Sequence, residues 1–251
     1  MSQNIYDNRE FFDGYARLGR SLHGLDGAPE WPAVKAMLPD LAGKRIVDLG
    51  CGYGWFSRFA RQQGAAGVSA FDLSEKMLDK ARGMTRDPAI HYCRADMEEL
   101  VLPQAAFDLA YSSLAFHYVR DAQRLLRFIH ASLKPGGMLV CSVEHPIYTA
   151  PETPAWVDDA AGRKSWPVNG YQDQGRRVAD WIVKGVVKYH RTLGAWLNMI
   201  MAAGFSLIRV EEWGPTDEQV DACPSLAEER ERPMLLLVSA LRPAAVCVED
   251  A

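Results

Sequence analysis

The chain has 251 residues, of which 48% are apolar, and a formal net charge of -4 at pH 7. The length and apolar content predict a single α/β domain over residues 1–251, and the weak acidic balance excludes the global basic field that would gather nucleic acid or an anionic membrane. The five cysteines are odd in number and form no C-x-x-C pair, which argues against a disulfide framework and a zinc cluster, so no metal is predicted.

The two ends of the sequence carry no pattern typical of a membrane protein. Residues 1–8 are polar, and the apolar stretch at 234–241 has the length of a strand rather than of a membrane span. We therefore predict a cytoplasmic protein.

Residues 1–42 are predicted to form a helical preface, because apolar residues recur there at helical spacing and a second short helix ends before Pro39. Strand and helix patterns then alternate at 45–49, 54–63, 67–71, 74–82, 90–94, 107–112, 121–133 and 137–144. Alternation of this kind indicates parallel strands with helices on both faces, and ligands bound at the carboxyl ends of the strands.

The alternation stops after Glu144. Residues 145–190 are predicted to be an insertion that covers the ligand side as a substrate lid, because 145–180 is rich in proline, glycine and charge and only the stretch near 181–189 alternates. A helix at 192–203 and strands at 205–213 and 233–241 would complete a seven-stranded sheet.

The turn after the first strand is the most informative motif. Asp48 ends the strand, and Gly50, Gly52 and Gly54 follow. Glycine accepts positive φ and lets a ligand lie against the backbone. A dinucleotide fingerprint would place its third glycine where this chain has Trp55, and an acid before the loop suits sulfonium and ammonium charges better than a diphosphate. The loop therefore favours S-adenosylmethionine and disfavours a nicotinamide-dependent oxidoreductase.

Four more motifs follow this loop in the chain. They are Phe71-Asp72-Leu73-Ser74, Cys93-Arg94-Ala95-Asp96-Met97, the segment from Phe107 to Leu114, and the segment from Leu133 to Leu139. Together the five motifs resemble those of the class I S-adenosylmethionine-dependent methyltransferases. The resemblance implies a Rossmann-like, three-layer α/β sandwich with a seven-stranded, mostly parallel sheet whose final strand is antiparallel.

The resemblance also implies the cofactor site. Asp72 would accept both ribose hydroxyls, and Asp96 would hold the exocyclic amine of adenine. The implied residues for S-adenosyl-L-methionine and its product S-adenosyl-L-homocysteine are Asp48, Gly50, Cys51, Gly52, Trp55, Asp72, Leu73, Met77, Ala95, Asp96, Met97 and Ser112.

Some of these residues have a structural alternative. Trp55 and Met77 lie on helical faces beside the sheet, where core packing competes with cofactor contact. Asp48 could serve mainly to hold the glycine loop through its amides. Tyr6 and Tyr15 in the preface could close over the cofactor, although aromatic residues at helical spacing are more often core.

Three histidines are candidates for a general base. His117 follows the fourth strand, His145 follows the fifth, and His190 precedes the helix after the insertion, so all three could face the methyl-transfer pocket. Imidazole is the only unperturbed side chain that titrates near neutral pH, and a structural role is the alternative for each.

The predicted function is methyl transfer to a small molecule by in-line displacement, with a dry pocket that protects the sulfonium from water. The fourth-strand segment Ser112-Ser113-Leu114-Ala115 is not the Asn/Asp-Pro-Pro-Tyr/Phe motif of the enzymes that methylate amino groups of nucleic acids and glutamine. A methyltransferase for RNA or protein stays open, and a basic cleft around Arg163, Lys164, Arg176 and Arg177 would favour it. A module that binds S-adenosylmethionine without turnover is the third alternative.

Overall fold

The structure is a computed structural model that describes residues 2–244. Seven strands form its central sheet. They are β1 (Arg45–Leu49), β2 (Gly67–Asp72), β3 (Ile90–Arg94), β4 (Phe107–Ser113), β5 (Leu133–Glu144), β10 (Ser206–Trp213) and β11 (Leu235–Leu241). Their order is β10-β11-β5-β4-β1-β2-β3, and β11 runs antiparallel to both of its neighbours while the other pairs are parallel. The predicted Rossmann-like sheet with its antiparallel final strand is confirmed.

Helices cover both faces of this sheet. The α-helices are α1 (Arg9–Tyr15), α2 (Gly19–Leu22), α3 (Trp31–Ala36), α4 (Trp55–Gln62), α5 (Glu75–Gly83), α6 (Ala122–Ser132), α7 (Pro146–Thr149), α8 (Leu193–Ala202), α9 (Asp217–Ala222) and α10 (Glu228–Glu231). Short 3-10 helices span Ile5–Asp7, Gly24–Gly27, Phe116–Tyr118 and Pro224–Ala227.

Local sequence explains these elements. Side chains alternate along a strand, so Ile46 joins the core on one face of the sheet and Val47 the core on the other. Ser74 caps α5 by accepting from the Met77 amide, and Thr192 caps α8 in the same way. The helices therefore begin where the strands end, which places their first turns at the ligand side of the sheet.

The insertion contains more regular structure than the sequence predicts. It holds α7, a small hairpin of β6 (Val157–Asp158) and β7 (Lys164–Ser165), and a longer hairpin of β8 (Gly175–Trp181) and β9 (Val183–His190). The guanidinium of Arg232 lies over the rings of Trp166 and Tyr148, 4.5 and 4.8 Å from their centroids, and ties the insertion to the segment before β11. The lid role of 145–190 and the single-domain assignment stay predictions.

Within residues 2–244, no helix is both long and apolar enough to cross a membrane. The same range contains no group of three or more His, Cys, Asp or Glu side chains able to hold a metal ion. Cys51, Cys93, Cys141 and Cys223 are free thiols, and the fifth cysteine, Cys247, lies outside the described residues.

Candidate active site

A cavity of about 330 Å³ opens at the carboxyl ends of β1 to β5. Its wall combines strand ends with residues of the preface and of the insertion. Of the residues predicted to bind the cofactor, all except Ser112 line this cavity. They are Asp48, Gly50, Cys51, Gly52, Trp55, Asp72, Leu73, Met77, Ala95, Asp96 and Met97. We call the part formed by these residues the glycine-loop wall.

Two glycines of the loop after β1 fit their positions only because glycine has no side chain. Gly50 has a φ of +75°, and a Cβ built there would lie 2.4 Å from the Cβ of Ala115. Gly54, at the start of α4, has a φ of +71°, and its Cβ would lie 2.1 Å from the Tyr92 hydroxyl. Both positions combine left-handed backbone with a close neighbour, so only glycine fits. The loop thus presents bare backbone to the cavity.

Asp72 fixes this loop to the end of β2. Its Oδ2 accepts from the Gly52 amide at 2.8 Å, and its Oδ1 accepts from the Ser74 amide at 2.9 Å. Burial raises the pKa of the Asp72 carboxyl against the opposing effect of these amide donors. Each carboxylate oxygen has two lone pairs, so both can still accept a hydroxyl from the cavity, as the ribose assignment requires.

Asp48 lies at the base of the same wall and is buried. Its Oδ2 accepts from the Ser57 hydroxyl at 2.6 Å, so it anchors α4 and not the amides of the glycine loop, which corrects that alternative. Burial raises the pKa of Asp48 to about 7.

Asp96 contacts the first residues of the preface. The Ser2 amide donates to its Oδ2 at 3.1 Å, and the Ser2 hydroxyl donates to its Oδ1 at 2.7 Å. The Glu98 amide also donates to Oδ1 at 2.9 Å. The carboxylate predicted to hold adenine is therefore oriented by donors from the preface and from its own loop.

Ser112 does not belong to the cavity wall. Its hydroxyl is buried in the sheet and donates to the Leu49 carbonyl at 2.8 Å. Because side chains alternate along β4, the next residue, Ser113, lines the cavity instead. The motif was placed correctly, but the residue was shifted by one.

Two predicted bases also lie outside the cavity wall. The Nδ1 of His145 accepts from the Ile147 amide at 3.1 Å, and its Nε2 lies 2.8 Å from Glu212 Oε1. The Nδ1 of His190 lies 2.8 Å from the Thr149 hydroxyl, and its Nε2 lies 2.9 Å from the Tyr171 carbonyl. His145 joins the insertion to β10, whereas both partners of His190 lie within the insertion. With both ring nitrogens occupied and no place on the cavity wall, these two histidines do not reach the predicted position of a base.

His117 does line the cavity, and it is buried. Its Nδ1 accepts from the Glu144 amide at 3.3 Å, which assigns the ring hydrogen to Nε2 in the neutral form. Burial lowers its pKa to about 4. A neutral ring whose second nitrogen already carries a proton is a hydrogen-bond donor, so His117 suits orientation of a ligand better than proton abstraction.

Part of the remaining wall is aromatic, and sequence reasoning missed most of this part. Tyr6, Tyr118, Tyr148 and Trp181 line it, and we call these four the aromatic wall. The hydroxyls of Tyr6 and Tyr118 lie 3.3 Å apart. Glu144, the last residue of β5, also lines the cavity. The position of Glu144 at the end of a strand could have identified it from the sequence as a residue of the cavity wall.

Three residues of the cavity wall each carry a buried polar atom that has no hydrogen-bond partner among residues 2–244. The atoms are Nε1 of Trp55, Oδ1 of Asn4 and Oε2 of Glu144. An open backbone loop, a carboxylate with free lone pairs and unpaired donors and acceptors fit a polar, nucleoside-containing cofactor.

Comparison with known proteins decides the family. A family model for a methyltransferase domain matches residues 47–141. An S-adenosylmethionine-dependent methyltransferase structure from Mesorhizobium loti is 58% identical, with a TM-score of 0.85 over 87% of this chain and 100% of that chain. The chain belongs to the S-adenosylmethionine-dependent methyltransferases. A second structure of that class, from Listeria monocytogenes, is 36% identical with a TM-score of 0.78 over 85% of this chain and 98% of that one.

This methyltransferase therefore uses S-adenosylmethionine, and the predicted family and cofactor are confirmed. The malonyl-[acyl-carrier protein] O-methyltransferase of Serratia marcescens is 40% identical over 100 residues, which are 40% of this chain and 38% of that enzyme. A match of that length cannot include both Tyr6 and Trp181, so it does not cover the complete aromatic wall.

Proposed function

We propose that this methyltransferase methylates a small molecule held against the aromatic wall. S-adenosylmethionine supplies an electrophilic methyl group and leaves as a neutral thioether. The chain's own residues bind the acceptor, exclude water and hold it in line, since positioning alone can contribute on the order of 7 to 11 kcal/mol.

The observation that carries this proposal is the composition of the aromatic wall. Tyr6 comes from the preface, Tyr118 follows β4, Tyr148 lies in α7 and Trp181 ends β8. Four separate parts of the chain thus supply the aromatic wall of the cavity, whose whole volume, with the glycine-loop wall included, is about 330 Å³. Pockets of this size, lined by aromatic residues with a few polar groups, are typical of small-molecule sites.

The basic residues that would favour RNA are largely occupied by partners in the structure. Arg163 pairs with Asp159 at 3.2 Å, and Lys164 pairs with Glu228 at 2.8 Å. The guanidinium of Arg177 donates to the carbonyls of residues 150, 170 and 173. Cations that are paired with carboxylates or hydrogen-bonded to carbonyls provide little attraction for a phosphate backbone, which supports the small-molecule acceptor.

We also propose that the protein is cytoplasmic, which the composition of the chain supports.

Fractionated cell extract tests this proposal. The protein is incubated with S-adenosylmethionine labelled in its methyl group, together with ultrafiltered metabolites, with RNA, or with heat-denatured protein. We expect label in the metabolite fraction only, and much less label with the Asp72→Ala variant when the cofactor concentration does not exceed the wild-type Kd. Label confined to RNA or protein would replace the proposal by the macromolecular alternative, and no transfer despite cofactor binding would favour the non-catalytic module.

A further inference from the structure

Glu144 is held in an unusual position at the end of β5. Its Oε1 accepts from Lys188 Nζ at 2.5 Å, and the two side chains are only 13% and 5% exposed. Its Oε2 is buried and has no partner among the described residues, and Glu144 is one of the residues that line the cavity. A buried carboxylate oxygen that accepts no hydrogen bond costs free energy. A ligand group that donates a hydrogen bond to this oxygen would remove that cost.

We propose that Oε2 of Glu144 accepts a hydrogen bond from a neutral hydroxyl on the acceptor and takes its proton during methyl transfer. This inference rests on the proposed small-molecule function and assigns the chemical class of the acceptor. The oxygen–hydrogen bond of the acceptor breaks and its proton moves to Oε2. The oxygen forms a bond to the methyl carbon while the bond between that carbon and sulfur breaks, and the neutral thioether leaves.

The charges around this position select the acceptor group. A carboxylate acceptor would meet the unpaired oxygen of Glu144, and the like charges would repel. An ammonium group has no lone pair for the methyl carbon, and a second cation, Lys188, already lies beside the aromatic wall, with its Nζ 5.1 Å from the Trp181 ring centroid and 5.9 Å from the Tyr148 centroid. A neutral hydroxyl on an aromatic or apolar body avoids both repulsions and packs on the aromatic wall.

His117 and Glu144 have different roles towards the acceptor, and His117 does not serve as the base. Because the Glu144 amide donates to its Nδ1, its Nε2 carries the proton in the neutral ring and has no free lone pair. Glu144 Oε2 is the unpaired acceptor that the two residues offer. His117 can therefore donate to the acceptor molecule while Glu144 removes its proton.

The test compares Glu144→Gln with Glu212→Gln. The first substitution keeps the size of the side chain and an oxygen for Lys188, and the second makes the same change at a carboxylate that bonds His145 outside the cavity. Glu144→Gln should lower turnover of the acceptor found in the metabolite fraction by about 100-fold or more. It should keep the affinity for S-adenosylhomocysteine and bind the acceptor about 10-fold more weakly in the complex with S-adenosylhomocysteine, measured by calorimetry without turnover. Glu212→Gln should match the wild type in all three.

The labelled product gives an independent measurement on the wild-type protein. A methyl ether survives alkali, whereas a methyl ester releases labelled methanol and an N-methyl amine binds to a cation exchanger in acid. We expect the ether. An ester, an amine, or wild-type turnover in Glu144→Gln would overturn the Glu144 inference and leave the small-molecule proposal standing. Absence of any labelled small molecule would overturn both. If Glu144→Gln does not fold, the product chemistry decides.

Discussion

The glycine-loop wall and the aromatic wall of the same cavity are assembled in different ways. The first takes its residues from consecutive strand ends between Asp48 and Met97, in short motifs that each carry their own turn. The second brings Tyr6 together with Tyr118, Tyr148 and Trp181, which share no motif. The predicted cofactor site thus depends on local backbone geometry, whereas the proposed acceptor site depends on long-range packing.

The largest expected effect tests the backbone of the glycine-loop wall. Gly50→Ala places a methyl group 2.4 Å from Ala115 and forces alanine into left-handed backbone. We expect a cost of about 2 to 5 kcal/mol, shared between stability and affinity for S-adenosylhomocysteine. Urea unfolding and calorimetry measure the two parts.

Gly136→Ala is the matched control for this substitution. Gly136 has a φ of +78°, and a Cβ there would have no neighbour within 4 Å. Its cost should be about 1 to 2 kcal/mol of stability with unchanged affinity. Equal affinities in the two variants would show that the loop tolerates side chains and that our account of its geometry is wrong.

The next prediction compares two buried titratable groups of the cavity wall, His117 and Asp48, and the pH dependence of stability that each produces. The pKa of His117 is about 4, below its ordinary value of 6.5, so its contribution to stability is full above pH 6.5 and is lost as the pH falls toward 4. The pKa of Asp48 is about 7, above its ordinary value of 3.8, so its contribution is full below pH 3.8 and is lost as the pH rises toward 7. Each shift corresponds to about 3 to 4 kcal/mol at most.

Removing either group should therefore change the pH dependence of stability in opposite directions. Urea unfolding at several values between pH 4 and 7 should show that His117→Gln loses less stability than the wild type on acidification. Asp48→Asn should lose less than the wild type as the pH rises. Parallel curves for a variant and the wild type would mean that the removed group does not titrate in this range.

The smallest of these effects concerns Asp72. Asp72→Ala removes the carboxylate that holds the Gly52 and Ser74 amides and that is assigned to the ribose hydroxyls. Affinity for S-adenosylhomocysteine should fall by about 2 to 3 kcal/mol. Asp79→Ala, at an exposed position of α5, should keep the wild-type affinity. Calorimetry that finds no loss in Asp72→Ala would contradict the ribose assignment.

Local signals were enough for the sheet and for most of the glycine-loop wall. Alternating strand and helix patterns predicted all seven strands of the central sheet, because a strand, its glycine turn and its helix cap lie within a few residues of one another. Ser112 shows the limit of this reading. A shift of one position along a strand moves a side chain to the opposite face, and sequence places strand ends only to within a few residues.

The sequence by itself indicated the family, the cofactor and the seven strands along the chain, since each follows from motifs or patterns that lie within a few residues of one another. Only the tertiary structure decided which histidine reaches the cavity, because His145 and His190 are held by Glu212, Thr149 and the Tyr171 carbonyl from other parts of the fold. It also decided that Glu144 meets Lys188 across the insertion and leaves one oxygen free. Such contacts depend on how separate elements pack, and no periodicity within a single segment encodes them.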